Sequence, residues 1–160
     1  MQDSGLTFSS PISGMQIRSE VRVSKPVALN RKLLVRRHHV FALWDTGASI
    51  SAISRSLADK LELKVYEHAV LSTAAGLMNA FRDIVLLDLL IDGSVIPVKA
   101  AIVDSIPGEN NQFMIGMDVI QRGSFTIDTA PLEGNFNVSF KPYPGIFRPV
   151  EQFFLVDDKN

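Results

Sequence analysis

The chain contains 160 residues, 46% of them hydrophobic, and its 16 basic and 17 acidic side chains leave a net charge of -1. Length and apolar content together predict one compact domain with a substantial core. The near balance of charge argues against nucleic acid or an anionic membrane as a partner. Because the sequence has no cysteine, it cannot form disulfides, a catalytic thiolate or a zinc–thiolate site.

The ends of the chain differ in composition from its middle. Residues 1–14 are rich in serine and glycine, which predicts a flexible leader, since such a segment buries too little apolar surface to offset its ordering entropy. They lack the basic start and apolar block of a signal peptide, and no apolar run reaches membrane-spanning length. We therefore expect a cytoplasmic protein with its folded domain at residues 15–140 and a C-terminal extension at residues 141–160.

The first part of the domain has the pattern of β-strands. Met15–Ala28 alternates apolar and polar side chains with a period of two, and Leu33–Val35 predicts a second strand. His38 and His39 follow; because adjacent side chains on a strand point to opposite faces, the two rings cannot readily chelate one metal ion. We predict a solvent-facing turn at this pair and no metal site in the chain.

The next feature is an acidic turn. The apolar run Ala42–Trp44 leads directly into Asp45-Thr46-Gly47-Ala48. Glycine allows backbone conformations that other residues tolerate poorly, and the small neighbours leave room beside the carboxylate. Trp44 alternates to the opposite face from Asp45, so we expect it in the core.

The period of the pattern changes after this turn. Within Ile50–Lys64, apolar residues recur every four positions from Ile53 to Leu61, which predicts a short amphipathic helix. Ser54 or Ser56 can cap its start, and Asp59 is expected to supply an acid in its first turn.

The strand pattern then returns. His68–Thr73 and Phe81–Ile91 are predicted strands on either side of a small, uncharged connection that contains glycine. Asp92-Gly93 is a strong turn signal that joins the second of them to Val95–Val103. Since Pro97 cannot donate a backbone hydrogen bond, this third strand is expected at an edge or with a bulge.

The last part of the chain is predicted to add further strands, at Ser124–Asp128 and Asn135–Phe140. Beyond Lys141 three prolines break the pattern, and the apolar segment Phe153–Val156 follows. We expect this segment to form an extra edge strand or to contact a partner subunit.

A second apolar element accompanies the acidic turn. It consists of Phe113-Met114-Ile115-Gly116-Met117-Asp118-Val119-Ile120. An apolar lead-in to Asp-Thr-Gly-Ala, with a later apolar pair followed by glycine, resembles the pattern of the retropepsin-like aspartic proteases. The resemblance covers Arg22–Asp128. Asp-Thr-Gly alone recurs by chance in unrelated sequences. The resemblance is specific because this motif occurs together with its apolar lead-in, the following Ala-Ser and the later Gly116 element.

This resemblance implies an all-β fold: a retropepsin-like closed β-barrel-like domain with one or two short helices and one lobe per chain. It implies that Asp45 is the catalytic acid and that Ile115, Gly116 and Asp118 support it. The small connection before Phe81 would be the flap, a hairpin that closes over the substrate, although an ordinary hairpin turn is the alternative. The flap residues would be Thr73, Ala74, Ala75, Gly76 and Leu77.

Peptide hydrolysis of this type needs two carboxylates that share a proton. A second acid within the chain would have to come from Asp128-Thr129-Ala130 or from Asp104, and both lack the glycine. A chain of this length is also too short for two lobes, each with its own core. The remaining solution is a closed dimer in which two Asp45 side chains meet at the two-fold axis.

The resemblance further implies roles for the rest of the acidic turn. Thr46, Gly47 and Ala48 would form the active-site turn and contact the second chain. Thr46 would donate its hydroxyl across the dimer axis, and Gly47 would bring its carbonyl close to the substrate backbone.

Two positions depart from the retroviral members of the family. Those proteins usually carry an acid where this chain has Ser49, and a paired arginine where it has Met117. With both absent, neither leaves an unpaired buried charge. Asp118 is a new polar residue near the turn, and we expect it to cap a short helix from Val119 onward rather than to act in catalysis.

The sequence therefore predicts a homodimeric aspartic endopeptidase that needs no cofactor and acts on protein or peptide substrates. An alternative with the same fold is a module that binds or senses a partner without proteolysis, since fold alone does not establish function. A third interpretation is an unrelated β-rich binding protein in which Asp45–Gly47 is only a turn. The intact Asp-Thr-Gly-Ala favours the first.

Overall fold

The computed structural model describes residues 6–11, 16–26, 35–72, 79–91, 93–128, 135–143, 148–149 and 155–157. Strands dominate this part of the chain, together with two short helices, α1 (Arg55–Lys60) and α2 (Met117–Ile120). The strands are β1 (Leu6–Pro11), β2 (Ile17–Ser24), β3 (Val35–Trp44), β4 (Ser51–Ser54), β5 (Val65–Ser72), β6 (Asn79–Ile91), β7 (Ser94–Val103), β8 (Asn111–Ile115), β9 (Gly123–Asp128), β10 (Asn135–Pro142), β11 (Arg148–Pro149) and β12 (Leu155–Asp157). The predicted all-β class with short helices is confirmed. Neither helix in the described ranges is long and apolar enough to cross a membrane.

Six of the strands close into a barrel. The strand order around the barrel is β2, β3, β8, β4, β7 and β6, and β6 pairs with β2 to close it. Closure satisfies the backbone groups that an open sheet would leave at its edges. Strands β5, β11 and β12 pair with β6, β7 and β3 respectively. The closed, barrel-like domain is therefore the observed architecture.

The main hydrophobic core is built from side chains that alternate along the barrel strands. On β6, Val85, Leu87, Leu89 and Ile91 all enter one buried cluster. This is the period of two that the sequence shows in the same segment. Because burial of apolar surface is the main favourable term in folding, the alternation holds the strand in its register.

A smaller sheet packs against the barrel around Trp44. It has the antiparallel order β1-β10-β9. The Trp44 ring is buried, with its centroid 5.1 Å from that of Phe125 and 5.3 Å from that of Phe140. Its indole N–H donates to the Ser19 hydroxyl at 2.9 Å. The predicted core position of Trp44 is confirmed.

The prediction that residues 1–14 form a flexible leader is wrong for residues 6–11. They form β1, which pairs with β10 along its full length. Leu6 and Phe8 pack against the core, and Phe8 stacks on Trp44 with ring centroids 5.9 Å apart. The prediction rested on the overall serine and glycine content of the segment. Two apolar side chains on one face of the strand are nevertheless enough to attach it to the core.

The His38–His39 pair does not form a turn, as had been predicted, because both residues lie within β3. His38 is buried and His39 is exposed, so the two side chains do point to opposite faces. The exposed ring contacts Glu20 on the neighbouring strand β2, with 2.7 Å between His39 Nδ1 and the Glu20 carboxylate. The strand continues through the pair because it has a partner, β2, on that side.

The helix predicted over Ile50–Lys64 is shorter than expected. Its first part is strand β4, which fills the gap between β7 and β8, and α1 contains only six residues. Ser54 caps α1 as predicted, since its hydroxyl accepts from the Leu57 N–H at 3.3 Å. The prediction that Asp59 is a first-turn acid is wrong, because the first turn of α1 contains no acidic residue.

The turn predicted between β6 and β7 is confirmed in position. Ile91 lies opposite Ser94, and Gly93 has a φ of +80°, in the left-handed region that glycine favours. Asp92 lies outside the described residues.

Pro97 occupies a local gap in the pairing of β7. On one side the strand pairs with β6 without a register shift, so there is no bulge in this ladder. On the other side it pairs with β11 at Ser94–Val95 and with β4 only from Ala100 onward. Between those partners the Pro97 carbonyl accepts from the Arg122 guanidinium at 2.7 Å. The proline is therefore tolerated at a short stretch of edge, as its missing N–H requires.

The predicted strands near the C-terminus are present. β9 and β10 coincide with the segments expected there. β12 pairs in parallel with the start of β3, with Leu155 opposite Val35, so the tail does add a strand. Phe153 and Phe154 lie outside the described residues.

Candidate active site

The acidic turn and the second apolar element meet because of the strand order. β3 and β8 run parallel, so their ends lie side by side, with Trp44 opposite Ile115. β8 lies between β3 and β4 in the barrel. The connection from β3 to β4 therefore passes over the end of β8, which brings Asp45–Ile50 against Gly116 and the start of α2.

Backbone hydrogen bonds fix the turn to this strand end. The Asp45 N–H donates to the Ile115 carbonyl at 2.9 Å, and the Met117 N–H donates to the Ala48 carbonyl at 2.8 Å. Within the turn, the Ala48 N–H donates to the Asp45 carbonyl at 3.3 Å. The chain thus both enters and leaves the turn in contact with the segment from β8 to α2.

The turn itself orients the carboxylate. Asp45 Oδ1 accepts a hydrogen bond of 2.8 Å from the Gly47 N–H. Asp45 is half-buried, while Thr46 and Gly47 are exposed. The acid therefore stands at the surface of the chain in a fixed orientation.

The prediction that position 47 needs glycine for its backbone conformation is wrong. Among the described residues, the glycines with positive φ are Gly93 and Gly108, and Gly47 does not adopt this conformation. What Gly47 supplies is space, because a Cβ at this position would lie 3.2 Å from Asp45 Oδ1. That separation is shorter than an ordinary van der Waals contact, so a side chain would press on the carboxylate.

Gly116 is required by a close approach of two backbone segments. A Cβ on it would lie 2.8 Å from the carbonyl carbon and oxygen of Ile50 and 3.0 Å from the Ala48 carbonyl oxygen. These are backbone atoms, which cannot move aside as a flexible side chain can. A larger residue would displace the turn that carries Asp45.

Ser51, which was not among the predicted site residues, completes this arrangement. Ser51 is fully buried at the start of β4. Its hydroxyl accepts from the Gly116 N–H at 3.0 Å and donates to Asp118 Oδ1 at 2.8 Å. The sequence signal for it is slight: a polar residue at the start of the apolar pair Ala52-Ile53.

The prediction that Asp118 caps α2 is wrong. The helix begins after Gly116, with no side-chain cap, and Asp118 lies inside the first turn. Burial raises the pKa of the Asp118 carboxyl, and the hydrogen bond from Ser51 and the charge of Arg122 oppose this rise. Asp118 is therefore not the N-cap of α2, and the Ser51 hydroxyl ties it to β4.

A sequence model of the family described as aspartyl protease matches residues 32–119, more than half of the chain. The chain belongs to the aspartyl protease family. Membership of this family supports aspartic protease activity in general. A comparison with curated proteins found no match.

Several solved structures are similar to this chain. A retropepsin-like aspartic protease from Rickettsia conorii has 15% identity and a TM-score of 0.52, with 87% of this chain and 94% of that chain covered. The EIAV protease has 18% identity and a TM-score of 0.47, with 66% and 86% covered. The retroviral protease-like domain of Ddi1 from Leishmania major has 18% identity and a TM-score of 0.42, with 79% and 95% covered. Because its sequence identity is low, the match to the Rickettsia protein shows a common retropepsin-like fold and nothing more.

The flap residues predicted for this aspartyl protease, Thr73, Ala74, Ala75, Gly76 and Leu77, lie outside the described residues. The strands on either side of them, β5 and β6, form an antiparallel pair that begins with Ser72 opposite Asn79. The two predicted strands are therefore confirmed, and their pairing is that of a hairpin.

The other acidic motifs of the aspartyl protease chain lie away from the ends of β3 and β8. Asp128 is the last residue of β9 in the small sheet, and Thr129 and Ala130 lie outside the described residues. Asp104 is exposed after β7, with its carboxylate 3.9 Å from the Arg55 guanidinium. Of Asp45, Asp104 and Asp128, only Asp45 follows β3 at the point where β8 ends.

Proposed function

We propose that this aspartyl protease is a homodimeric endopeptidase in which water is activated between two Asp45 carboxylates, one from each chain. The observation that carries the proposal is the placing of Asp45. Its carboxylate is oriented by the Gly47 N–H, on a turn bound to the end of β8 by backbone hydrogen bonds. The exposed Thr46 and Gly47 beside it are accessible to a second chain.

The chemistry favours two chains over one. The ionised Asp45 of one chain would take a proton from water as the water oxygen attacks the scissile carbonyl carbon. The protonated Asp45 of the other chain would donate its proton to the carbonyl oxygen. The tetrahedral intermediate would then break its C–N bond as the Asp45 that took the proton from water passes it to the departing amine nitrogen, and the other Asp45 recovers a proton from a hydroxyl of the intermediate. Because two adjacent carboxylates cannot both ionise readily, the pair shares one proton, and an isologous dimer supplies the second acid.

The remaining roles follow the predicted assignment. We propose that Thr46 and Ala48 contact the second chain, that Gly47 receives the substrate backbone, and that residues 73–77 close over an extended peptide. Ile115, Gly116 and Asp118 support the turn from the end of β8. The catalytic domain in this proposal includes β1 and ends near residue 140, with 141–160 as an extension, and the protein acts in the cytoplasm without a cofactor.

Replacing Asp45 with Asn tests the mechanism, because Asn keeps an oxygen for the Gly47 N–H and removes the ionisable group. We expect kcat/KM on a mixture of unstructured peptides to fall at least about a thousandfold, with an unchanged melting temperature. Asp128→Asn is the matched control and should keep full activity. An active Asp45→Asn protein would contradict the mechanism. A wild-type protein that cleaves no peptide would favour the binding-module alternative.

Mixing the two chains tests the dimer. An inactive Asp45→Asn chain added in excess should suppress wild-type turnover, because mixed dimers contain one ionisable acid in place of two. Specific activity should also fall on dilution, as dimers dissociate. If turnover stays proportional to the amount of wild-type chain in both experiments, each chain holds a complete site and the shared dyad is wrong.

A further inference from the structure

Ser51 connects the two segments that build the active site. It is fully buried, and its hydroxyl accepts from the Gly116 N–H at 3.0 Å while donating to Asp118 Oδ1 at 2.8 Å. Its single proton is thus committed to the carboxylate, and its oxygen to a backbone amide. Ser51 therefore joins β4, on the exit side of the Asp45 turn, to the start of α2.

This link is continuous with the hydrogen bonds that hold the turn. Gly116 lies between Ile115, whose carbonyl accepts from the Asp45 N–H, and Met117, whose N–H donates to the Ala48 carbonyl. Ser51 holds the residue between these two anchors. Any shift of Gly116 away from β4 would carry both anchors with it.

The backbone hydrogen bonds of Asp45 and Met117 hold the turn itself, and the close packing at Gly116 adds no directional attraction on the β4 side. The absence of a side chain on Gly116 lets its backbone come close to Ile50 and Ala48, but close packing alone does not prevent the segments from moving apart. Ser49 and Met117 are uncharged, so no ion pair joins the turn to α2 through them. The hydrogen bonds of Ser51 supply an attraction on the β4 side, and one partner is a carboxylate, which makes a stronger bond than a neutral acceptor.

We propose that Ser51 is a positioning residue for catalysis, which acts through Gly116 and Asp118 to set where the Asp45 carboxylate stands. The catalytic consequence rests on the aspartic protease function proposed above. A positional error of the acid affects the transition state more than the bound substrate, whose contacts are spread along the peptide. Loss of Ser51 should therefore act mainly on kcat.

The kinetic test compares two serines of the same strand. Ser51→Ala should lower kcat by about tenfold or more with KM changed less than about twofold, at a temperature where the variant is fully folded. Ser51→Thr, which keeps the hydroxyl, should restore most of the rate. Ser54→Ala is the matched control: Ser54 is also buried on β4 and accepts a backbone N–H, but from Leu57 in α1. It should lower the melting temperature and leave kcat unchanged.

Amide hydrogen exchange tests the link without any substrate. In Ser51→Ala the Asp45, Gly116 and Met117 amides should exchange at least about tenfold faster, relative to the barrel amides of the same protein. Ser54→Ala should instead accelerate exchange at Leu57 and its neighbours in α1. If Ser51→Ala does not accumulate as folded protein, Asp118→Ala removes the carboxylate partner at a half-buried site and should show the same pattern more weakly.

The two readouts separate this inference from the proposed function. Faster exchange at the turn in a protein that cleaves no peptide would support the link and contradict the protease proposal. Unchanged exchange at Asp45 and Met117 in Ser51→Ala would overturn the link. Equal losses of kcat in Ser51→Ala and Ser54→Ala would mean that Ser51 contributes only to the general stability of the fold. That outcome would also overturn the inference.

Discussion

Asp45 Oδ1 lies 2.8 Å from the backbone nitrogen of Gly47 and accepts its N–H. The same oxygen would lie 3.2 Å from a Cβ placed on Gly47. The residue that orients the carboxylate is therefore also the one that leaves it room. Its requirement for glycine comes from this contact, because its φ is not in the left-handed region.

Gly47→Ala should consequently impair catalysis more than folding. The methyl group has to push Asp45 Oδ1 away by a few tenths of an ångström, which also distorts the hydrogen bond that orients it. We expect kcat/KM to fall about tenfold or more. The free energy of unfolding should change by less than about 1 kcal/mol, since the residue is exposed. Peptide cleavage and urea unfolding of the same preparation measure the two effects.

Gly93→Ala is the control with the opposite expectation. Gly93 has a φ of +80°, and a methyl group at this position would meet no atom within 4 Å, so backbone strain is its only penalty. We expect a loss of about 1 to 2 kcal/mol in unfolding free energy and no change in kcat/KM. If Gly47→Ala keeps the wild-type rate, or if both variants lose activity alike, the space beside Asp45 does not control catalysis.

Phe8 tests whether β1 belongs to the folded unit. Its ring stacks on Trp44 at 5.9 Å and is half-buried, so Phe8→Ala should lower the free energy of unfolding by about 1 to 3 kcal/mol. Thr7→Ala, on the exposed face of the same strand, should cost much less. Trp44 is the single tryptophan of the chain, so its fluorescence reports on this contact directly. Equal stability of both variants would mean that β1 does not support the core.

Most of the barrel could be predicted because alternation of side chains reports burial on one face of a strand. β6 is the clearest case. The prediction failed at β4, where every residue is buried and no alternation exists. Ile53 was therefore assigned to the helix that follows. β4 is a strand because it pairs with β7 and β8, which are distant in sequence, and such pairing leaves no local signal.

The candidate site was predictable to the extent that it depends on local chemistry. Asp45 and Gly116 each stand out, since an acid two residues before a glycine and a glycine after an apolar pair are recognisable in a sequence. Ser51 was missed because its partners are brought to it by the insertion of β8 between β3 and β4. The same insertion places Asp118 against β4. The carboxylate therefore contacts Ser51, although the local sequence indicated a helix cap.

Asp118 provides a prediction about stability and pH. Burial raises its pKa, so the folded protein binds a proton at this carboxyl more tightly than the unfolded chain does. Such a group stabilises the fold at low pH, and this contribution is lost as the pH rises through the folded pKa. Among the described residues, the other charged side chains that line the same pocket of about 580 Å³ are Arg122, Lys99 and Asp88.

Asp118→Asn should remove this dependence, while its amide oxygen still accepts the Ser51 hydroxyl. The measurement is the free energy of unfolding in urea for both proteins, between about pH 4 and pH 8. Other titrating groups are common to the two proteins and cancel in the difference. The variant's stability relative to wild type should rise as the pH increases from the ordinary pKa of an aspartate, about 3.9, and then level off above the raised value. A relative stability that falls with pH would mean that Asp118 is held in its charged form, with Arg122 and Ser51 outweighing burial. A relative stability independent of pH would mean that the carboxyl has the same pKa in both states.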